Sequence, residues 1–149
     1  MRDFPHHYRV AAHGGGEPDV RLESPGVSTL RSDTPSEFGG PGDRWSPETL
    51  LVAAVADCFV LTFRAVAGAS KLSWTTVTCE VEGTLDRVDR AIQFTHLAIN
   101  ARLTISDPAD EERARRALVK AESNCLITNS LKATVDFRAE VSVPALAGV

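Results

Sequence analysis

The chain has only three cysteines in 149 residues, Cys58, Cys79 and Cys125, an odd number at wide spacing. That pattern fits neither a secreted disulfide framework nor a zinc ribbon. Its four histidines, His6, His7, His13 and His96, lack chelating spacing, so no metal site is expected. There is no basic stripe: the net charge is −4 with acids and bases interspersed, which argues against nucleic acid and an anionic membrane as partners. The first ten residues, MRDFPHHYRV, lack the apolar core of a signal peptide. A cytoplasmic location, with thiols that start reduced, is the expectation. Gly14-Gly15-Gly16 lacks the strand, spacing and lysine of a phosphate loop and reads as a hairpin turn, and Ser46 lacks a nucleophile elbow. No internal repeat is present. The live options for chemistry are therefore reactive or plainly buried thiols.

What the sequence does have is one long apolar segment, Ser46 to Ala67. Ser46 is an N-cap residue, Pro47 suits the first helical position and Glu48 favours the positive end of the helix dipole. From Leu50 to Ala67 only Asp57, Thr62 and Arg64 interrupt the apolar run. A membrane span needs about 20 consecutive apolar residues and tolerates a mid-segment Asp and Arg poorly. The segment is therefore predicted to be a buried central helix with almost no solvent face, ended by Gly68 and Ser70.

The remainder is arranged around it as one domain, residues 1–149, long enough to bury about two thirds of the surface its unfolded chain exposes. Short β-like runs between residues 8 and 32, separated by glycines and a Ser-Pro-Gly turn, predict a small antiparallel meander. A Gly/Pro-rich loop, residues 34 to 47, feeds the helix. Thr75 to Thr84 alternates as a half-buried strand, and a polar turn at Arg87 to Arg90 leads to a second. In that second strand Leu97, Ile99, Ala101, Leu103 and Ile105 share one face. Asp107-Pro108 opens another helix, acids first and bases later, with Ala114, Ala117, Leu118 and Ala121 as its apolar stripe. A final strand alternates through Val135, Phe137, Ala139, Val141 and Val143. Strands grouped around helices predict an α+β fold. Trp45 and Trp74, flanking the central helix, are expected to be packing anchors.

On composition alone Cys58 and Cys79 read as structural, since free cysteine is among the most buried residue types. Cys125, at a helix end beside a polar turn, is open between a buried and an accessible thiol. Two motifs, SPETLLVAAVADCF and NCLITNSLK, place a Glu ten residues before the first cysteine and a second cysteine 67 residues after it. With the loop TPSEFGGPGDRWSPE and the long hairpin, they resemble the OsmC/Ohr family of thiol-dependent hydroperoxide reductases across nearly the whole chain.

The resemblance implies an OsmC-like fold and an enzyme that requires no bound cofactor. Cys58 would attack the peroxide and Cys125 would resolve the product as a Cys58–Cys125 disulfide. Glu48 would belong to the charge network that orients an arginine towards the thiolate. At the family's usual arginine positions this chain has Gly14 to Gly16 and Glu37-Phe38, so Arg21, Arg31 and above all Arg44 become the candidate cations. A dithiol reductant, lipoyl-type for some members, would close the cycle, and an apolar wall including Leu51, Val55 and Phe59 would suit an organic hydroperoxide. An unperturbed thiol is only a few per cent ionised at neutral pH, so a cation or well-placed donors must sit near Cys58. Ten residues of straight helix put Glu48 about 15 Å from Cys58. Either the helix breaks between them or the Glu at each thiol comes from another subunit. The family's intertwined homodimers favour the second. A non-catalytic dimer that binds an apolar small molecule at its interface is the other reading left open.

Overall fold

The computed structural model describes residues 1–144. By internal contacts the chain divides into two compact units, Met1–Leu51 and a second beginning at Val52. The mixed α and β composition is the one expected.

In the first unit, strands β1 (Ala11–His13), β2 (Val20–Glu23) and β3 (Leu30–Ser32) form an antiparallel sheet in sequence order. The meander is as predicted, with strands shorter than the β-like runs. The Gly14 to Gly16 stretch lies in the β1–β2 connection. The loop that follows is anchored: Ser32 bridges Trp45, and the Asp33 amide donates to the Trp45 carbonyl at 2.8 Å. Within it a short 3-10 turn, Ser36–Phe38, ends on Gly39 at φ +86°, a conformation that favours glycine. Trp45 is 47% exposed, so its backbone does the anchoring and the expectation of a packed indole is corrected.

Helix α1 (Pro47–Ala69) begins where the sequence says it should. The Ser46 hydroxyl oxygen accepts from the Thr49 amide at 3.2 Å, and the Thr49 hydroxyl oxygen accepts from the Ser46 amide at 2.8 Å. This reciprocal pairing is a capping box with Thr in the place of Glu. The other end departs from expectation: Gly68 stays helical and Lys71 takes the left-handed position at φ +54°. The Leu72 amide donates to the Ala67 carbonyl at 2.9 Å and the Lys71 amide to the Gly68 carbonyl at 3.3 Å, a Schellman closure. Leu72 and Ala67 share one buried cluster, so an apolar contact holds the turn and a non-glycine residue absorbs the strain. Lys71→Gly is expected to raise stability by about 1 kcal/mol, read as a higher denaturant midpoint at unchanged m-value.

The second unit is built on a sheet of order β4-β5-β6. Strands β4 (Thr76–Val88) and β5 (Ala91–Thr104) form a long antiparallel hairpin, and β6 (Thr134–Ser142) adds parallel to β5. A parallel neighbour needs a crossover, which helix α2 (Glu111–Ser123) supplies. The predicted polar turn shrinks to Asp89-Arg90, with Asp89 at φ +55°, because Arg87 and Val88 continue the ladder opposite Ile92 and Ala91. Asp107 caps the entry to α2 by accepting from the Ala109 amide at 2.9 Å. Arg115 and Arg116 pair with Glu111 and Glu112 at 2.9 and 2.8 Å, one turn apart on the helix surface.

The predicted β5 face, Leu97 to Ile105, and the predicted α2 stripe are both buried. Phe59, Phe63 and Ala67 of α1 join them, while Val55 packs with Leu97 and Ile99. At Gly83 of β4 the helix approaches closely, since a Cβ there would lie 2.8 Å from Val52 Cγ2. The expectation of a helix without a solvent face is corrected within the chain. Only the stripe Val55, Phe59, Phe63 and Ala67 is fully buried, and Leu61 is 51% exposed. Within the second unit a sheet and one helix cover a single side of α1, and Leu61 on another side stays exposed among the described residues.

Candidate active site

Cys58 lies midway along α1 and Cys125 just beyond the end of α2. The α2 terminus shapes the second position. The Asn124 amide and side-chain Nδ2 both donate to the Lys120 carbonyl, at 3.1 and 3.0 Å, which ends the helix. The chain then turns back on itself. The Cys125 carbonyl accepts from the Thr128 hydroxyl at 3.0 Å and the Asn129 amide at 3.1 Å. Leu126 and Ile127 open this turn, so their amides lack helical partners and are free for another acceptor.

Both amides lie near enough to the Cys58 sulfur to favour its anion. Burial raises the Cys58 pKa, but the Ile127 amide, the Cys125 thiol, the Thr62 hydroxyl and the Leu126 amide together carry it below the ordinary thiol value. Thr62 stands one helical turn beyond Cys58, its Oγ1 3.8 Å from Sγ. Cys125 moves the opposite way. Burial raises its pKa, the Thr128 backbone and hydroxyl oppose this, and the neighbouring Cys58 adds to the rise. Two neighbouring thiols are thus differentiated: Cys58 is the better anion and Cys125 the proton holder. Cys125 is only 1% exposed while Cys58 is half-buried, which resolves the open question about Cys125 in favour of burial.

Cys79 sits on β4 opposite Ala101 and packs into both buried clusters. Desolvation, helped by the nearby Cys125 and Glu80, pushes its pKa up to about 12, so it stays a thiol. All three cysteines are free. Iodoacetamide labelling from pH 5 to 9, read by peptide mass spectrometry, should rank Cys58 fastest and leave Cys79 unmodified. Because the Cys58 pKa is lowered, its labelling rate should level off at a lower pH than that of free cysteine.

The groups that favour the Cys58 thiolate are neutral donors. Two of the three candidate cations are engaged elsewhere: Arg31 Nη1 lies 2.8 Å and Arg44 Nε 3.8 Å from Asp19 Oδ2. Arg21 faces Arg31 across β2 and β3 and makes no ion pair among the described residues. Glu48 belongs to the first unit, in the opening turn of α1, and its Oε2 is buried with no hydrogen-bond partner among the described residues. Since α1 is unbroken from Pro47 to Ala69, a helix break cannot bring Glu48 to Cys58. Val55 and Phe59, expected to wall a substrate pocket, are instead part of the packed interior.

Sequence reading missed Thr62 and the amides of Leu126 and Ile127. Thr62 was legible as a hydroxyl four residues from Cys58 on one helix face. The amides were not, because backbone donors carry no side-chain signature. No group of three or more His, Cys, Asp or Glu among the described residues is placed to hold a metal ion.

A family model described as OsmC-like protein matches residues 40–140. Among curated proteins, the uncharacterized protein YmaD of Bacillus subtilis is 25% identical over 142 residues, covering 93% of this chain and 95% of its own. An OsmC-like protein of unknown function from Vibrio cholerae superposes with a TM-score of 0.83 at 16% identity, covering 91% of this chain and 99% of that one. An organic hydroperoxide resistance protein OsmC from Legionella pneumophila, also described as a predicted redox protein, superposes with a TM-score of 0.74 at 28% identity, covering 95% and 100%. Peroxide-related redox function is thus represented in the family. With the family model matching 101 of 149 residues (40 to 140 inclusive), the chain belongs to the OsmC-like family.

Proposed function

We propose that the protein is a thiol-dependent hydroperoxide reductase. The observation that carries this reading is that Cys58 and Cys125 are neighbours acting on each other's ionisation, with the Cys58 pKa lowered and the Cys125 pKa raised. The Cys58 thiolate attacks the outer peroxide oxygen, the O–O bond breaks, and the alkoxide leaves with a proton as the alcohol. Cysteine is oxidised to sulfenic acid and the peroxide is reduced. The Cys125 thiol then displaces hydroxide from the sulfenic sulfur, giving a Cys58–Cys125 disulfide and water. A dithiol of lipoyl type reduces that disulfide through a mixed disulfide and is itself oxidised to a cyclic disulfide.

The amides of Leu126 and Ile127 serve the reaction as preorganised donors. They are worth most where charge sits on sulfur, and they come from the segment that carries the resolving thiol. The relatedness to the Legionella hydroperoxide resistance protein supports the same chemistry. A homodimer is part of this proposal, because α1 keeps an apolar side chain, Leu61, exposed among the described residues. Glu48 is proposed to hold a cation for the reaction. A reducing cytoplasm would supply the dithiol.

The test compares an organic hydroperoxide with hydrogen peroxide, each with dihydrolipoamide and with a monothiol, following peroxide consumption. The expected result is faster turnover with the organic hydroperoxide and the dithiol. No consumption above buffer with any pair would end the proposal. Light scattering behind size exclusion should return twice the chain mass of 16.0 kDa.

A further inference from the structure

Cys79 is a nucleophile that the proposed reaction leaves unused, and its place in the core is shared with the other two thiols. The second unit holds two buried clusters, one containing Phe59, Ala101 and Ala121, and a smaller one of Val55, Leu97 and Ile99. On α1, Cys58 lies between Val55 of the smaller cluster and Phe59 of the larger. After α2, Cys125 lies between Ala121 of the larger and Ile127, which packs on the smaller. Cys79 of β4 packs against both clusters and is paired across the ladder with Ala101, a single methyl group. Three elements thus bring one thiol each to the same seam. Cys125 is the common neighbour, close enough for charge on its sulfur to act on Cys79 and for charge on Cys58 to act on it.

We propose that Cys79 is a second resolving thiol, which takes the Cys125 sulfur over from Cys58 by disulfide exchange and returns Cys58 to its reactive form. The inference rests on the peroxidase reading, which supplies the Cys58–Cys125 disulfide. The Cys79 thiol gives its proton to water and its sulfur attacks the Cys125 sulfur. A Cys79–Cys125 bond forms, the Cys58–Cys125 bond breaks, and the electron pair leaves on the Cys58 sulfur. One disulfide replaces another, so no further oxidant or reductant is consumed. The direction follows from the leaving group. Despite burial, the donors around Cys58 stabilise its thiolate, and a stabilised thiolate leaves faster and makes its own disulfide the more oxidising one. Burial, Cys125 and Glu80 hold Cys79 as a thiol in the reduced protein, but a Cys125 sulfur bound in a disulfide carries no charge, so its part of that effect is lost. The product, a neutral disulfide among apolar side chains, buries no charge. Each chain would then hold one oxidising equivalent in its interior and meet a second peroxide before the dithiol arrives.

The experiment gives the reduced full chain, freed of dithiol, one equivalent of tert-butyl hydroperoxide and quenches samples with acid over a time course. Non-reducing peptide mass spectrometry maps the disulfides, and iodoacetamide labelling of parallel samples reports free Cys58. The Cys58–Cys125 disulfide should appear first and give way to Cys79–Cys125. Cys58 should then take up about tenfold more label than in Cys79→Ala at the same time point, where the disulfide stops at Cys58–Cys125. Cys79→Val, suited to a strand, serves if the alanine variant does not fold. Cys58→Ser should yield no Cys79–Cys125 bond, since the exchange has no source. A Cys58–Cys125 disulfide that persists in the parent as it does in Cys79→Ala would overturn the relay and leave the peroxidase reading standing. A Cys79–Cys125 bond formed in Cys58→Ser would also overturn it. Unconsumed peroxide with no disulfide would end both.

Discussion

Cys58→Ser should abolish dithiol-dependent hydroperoxide consumption, with a loss of about three orders of magnitude or more in turnover. The size follows from what holds the thiolate. Ile127, Thr62 and Leu126 present donors, which stabilise an anion that a thiol can form near neutral pH. A serine hydroxyl in the same place has a far higher pKa, and no general base stands among the groups that contact the Cys58 sulfur. The donors would bind the serine oxygen without activating it. Cys125→Ser should behave differently: the first oxidation proceeds, turnover falls for want of the internal disulfide, and Cys58 advances to sulfinic acid on repeated peroxide exposure. Intact-mass measurement after peroxide without reductant separates the two variants. A Cys58→Ser protein with half the parent turnover would move the chemistry to another residue.

Phe63→Ala should lower the unfolding free energy by about 3–5 kcal/mol, the largest stability effect foreseen for a single substitution here. Phe63 is completely buried, and its ring meets Trp74 edge-on with centroids 5.4 Å apart. It stands in the cluster that joins α1, β5 and α2, so no flexible neighbour is free to fill the void. The loss combines transfer of the ring, a residual cavity and the aromatic pair. Urea unfolding of both proteins at one chain concentration checks it, the concentration being held fixed because association shifts apparent stability. A change under 1 kcal/mol would mean that the cluster collapses around the missing ring.

Much of the fold was legible because its signals are local. The β5 alternation and the α2 stripe named the buried residues, and Ser46-Pro47-Glu48 named the start of α1. Turn positions were less legible. Lys71 adopts left-handed backbone where the residue type gives no warning, because packing of Leu72 imposes the geometry, whereas Asp89, a residue type that tolerates that region, takes it where Val88 pairs with Ala91. The site was half legible. The family motifs singled out Cys58, Cys125 and Glu48, yet nothing in their spacing said which thiol would be buried, or that Arg44 and Arg31 would be held by Asp19.

The sequence by itself determined the α+β class and the faces that pack, because periodicity and capping residues act over a few residues, and its family resemblance singled out the two cysteines worth watching. Tertiary structure alone decided how those cysteines differ. Folding sets the turn after α2 against the middle of α1, so two backbone amides without helical partners meet one sulfur, while burial keeps the proton on the other. It also decided that α1, apolar nearly all round, fully buries only Val55, Phe59, Phe63 and Ala67 among the described residues, since the sheet and helix of the second unit cover one side of it.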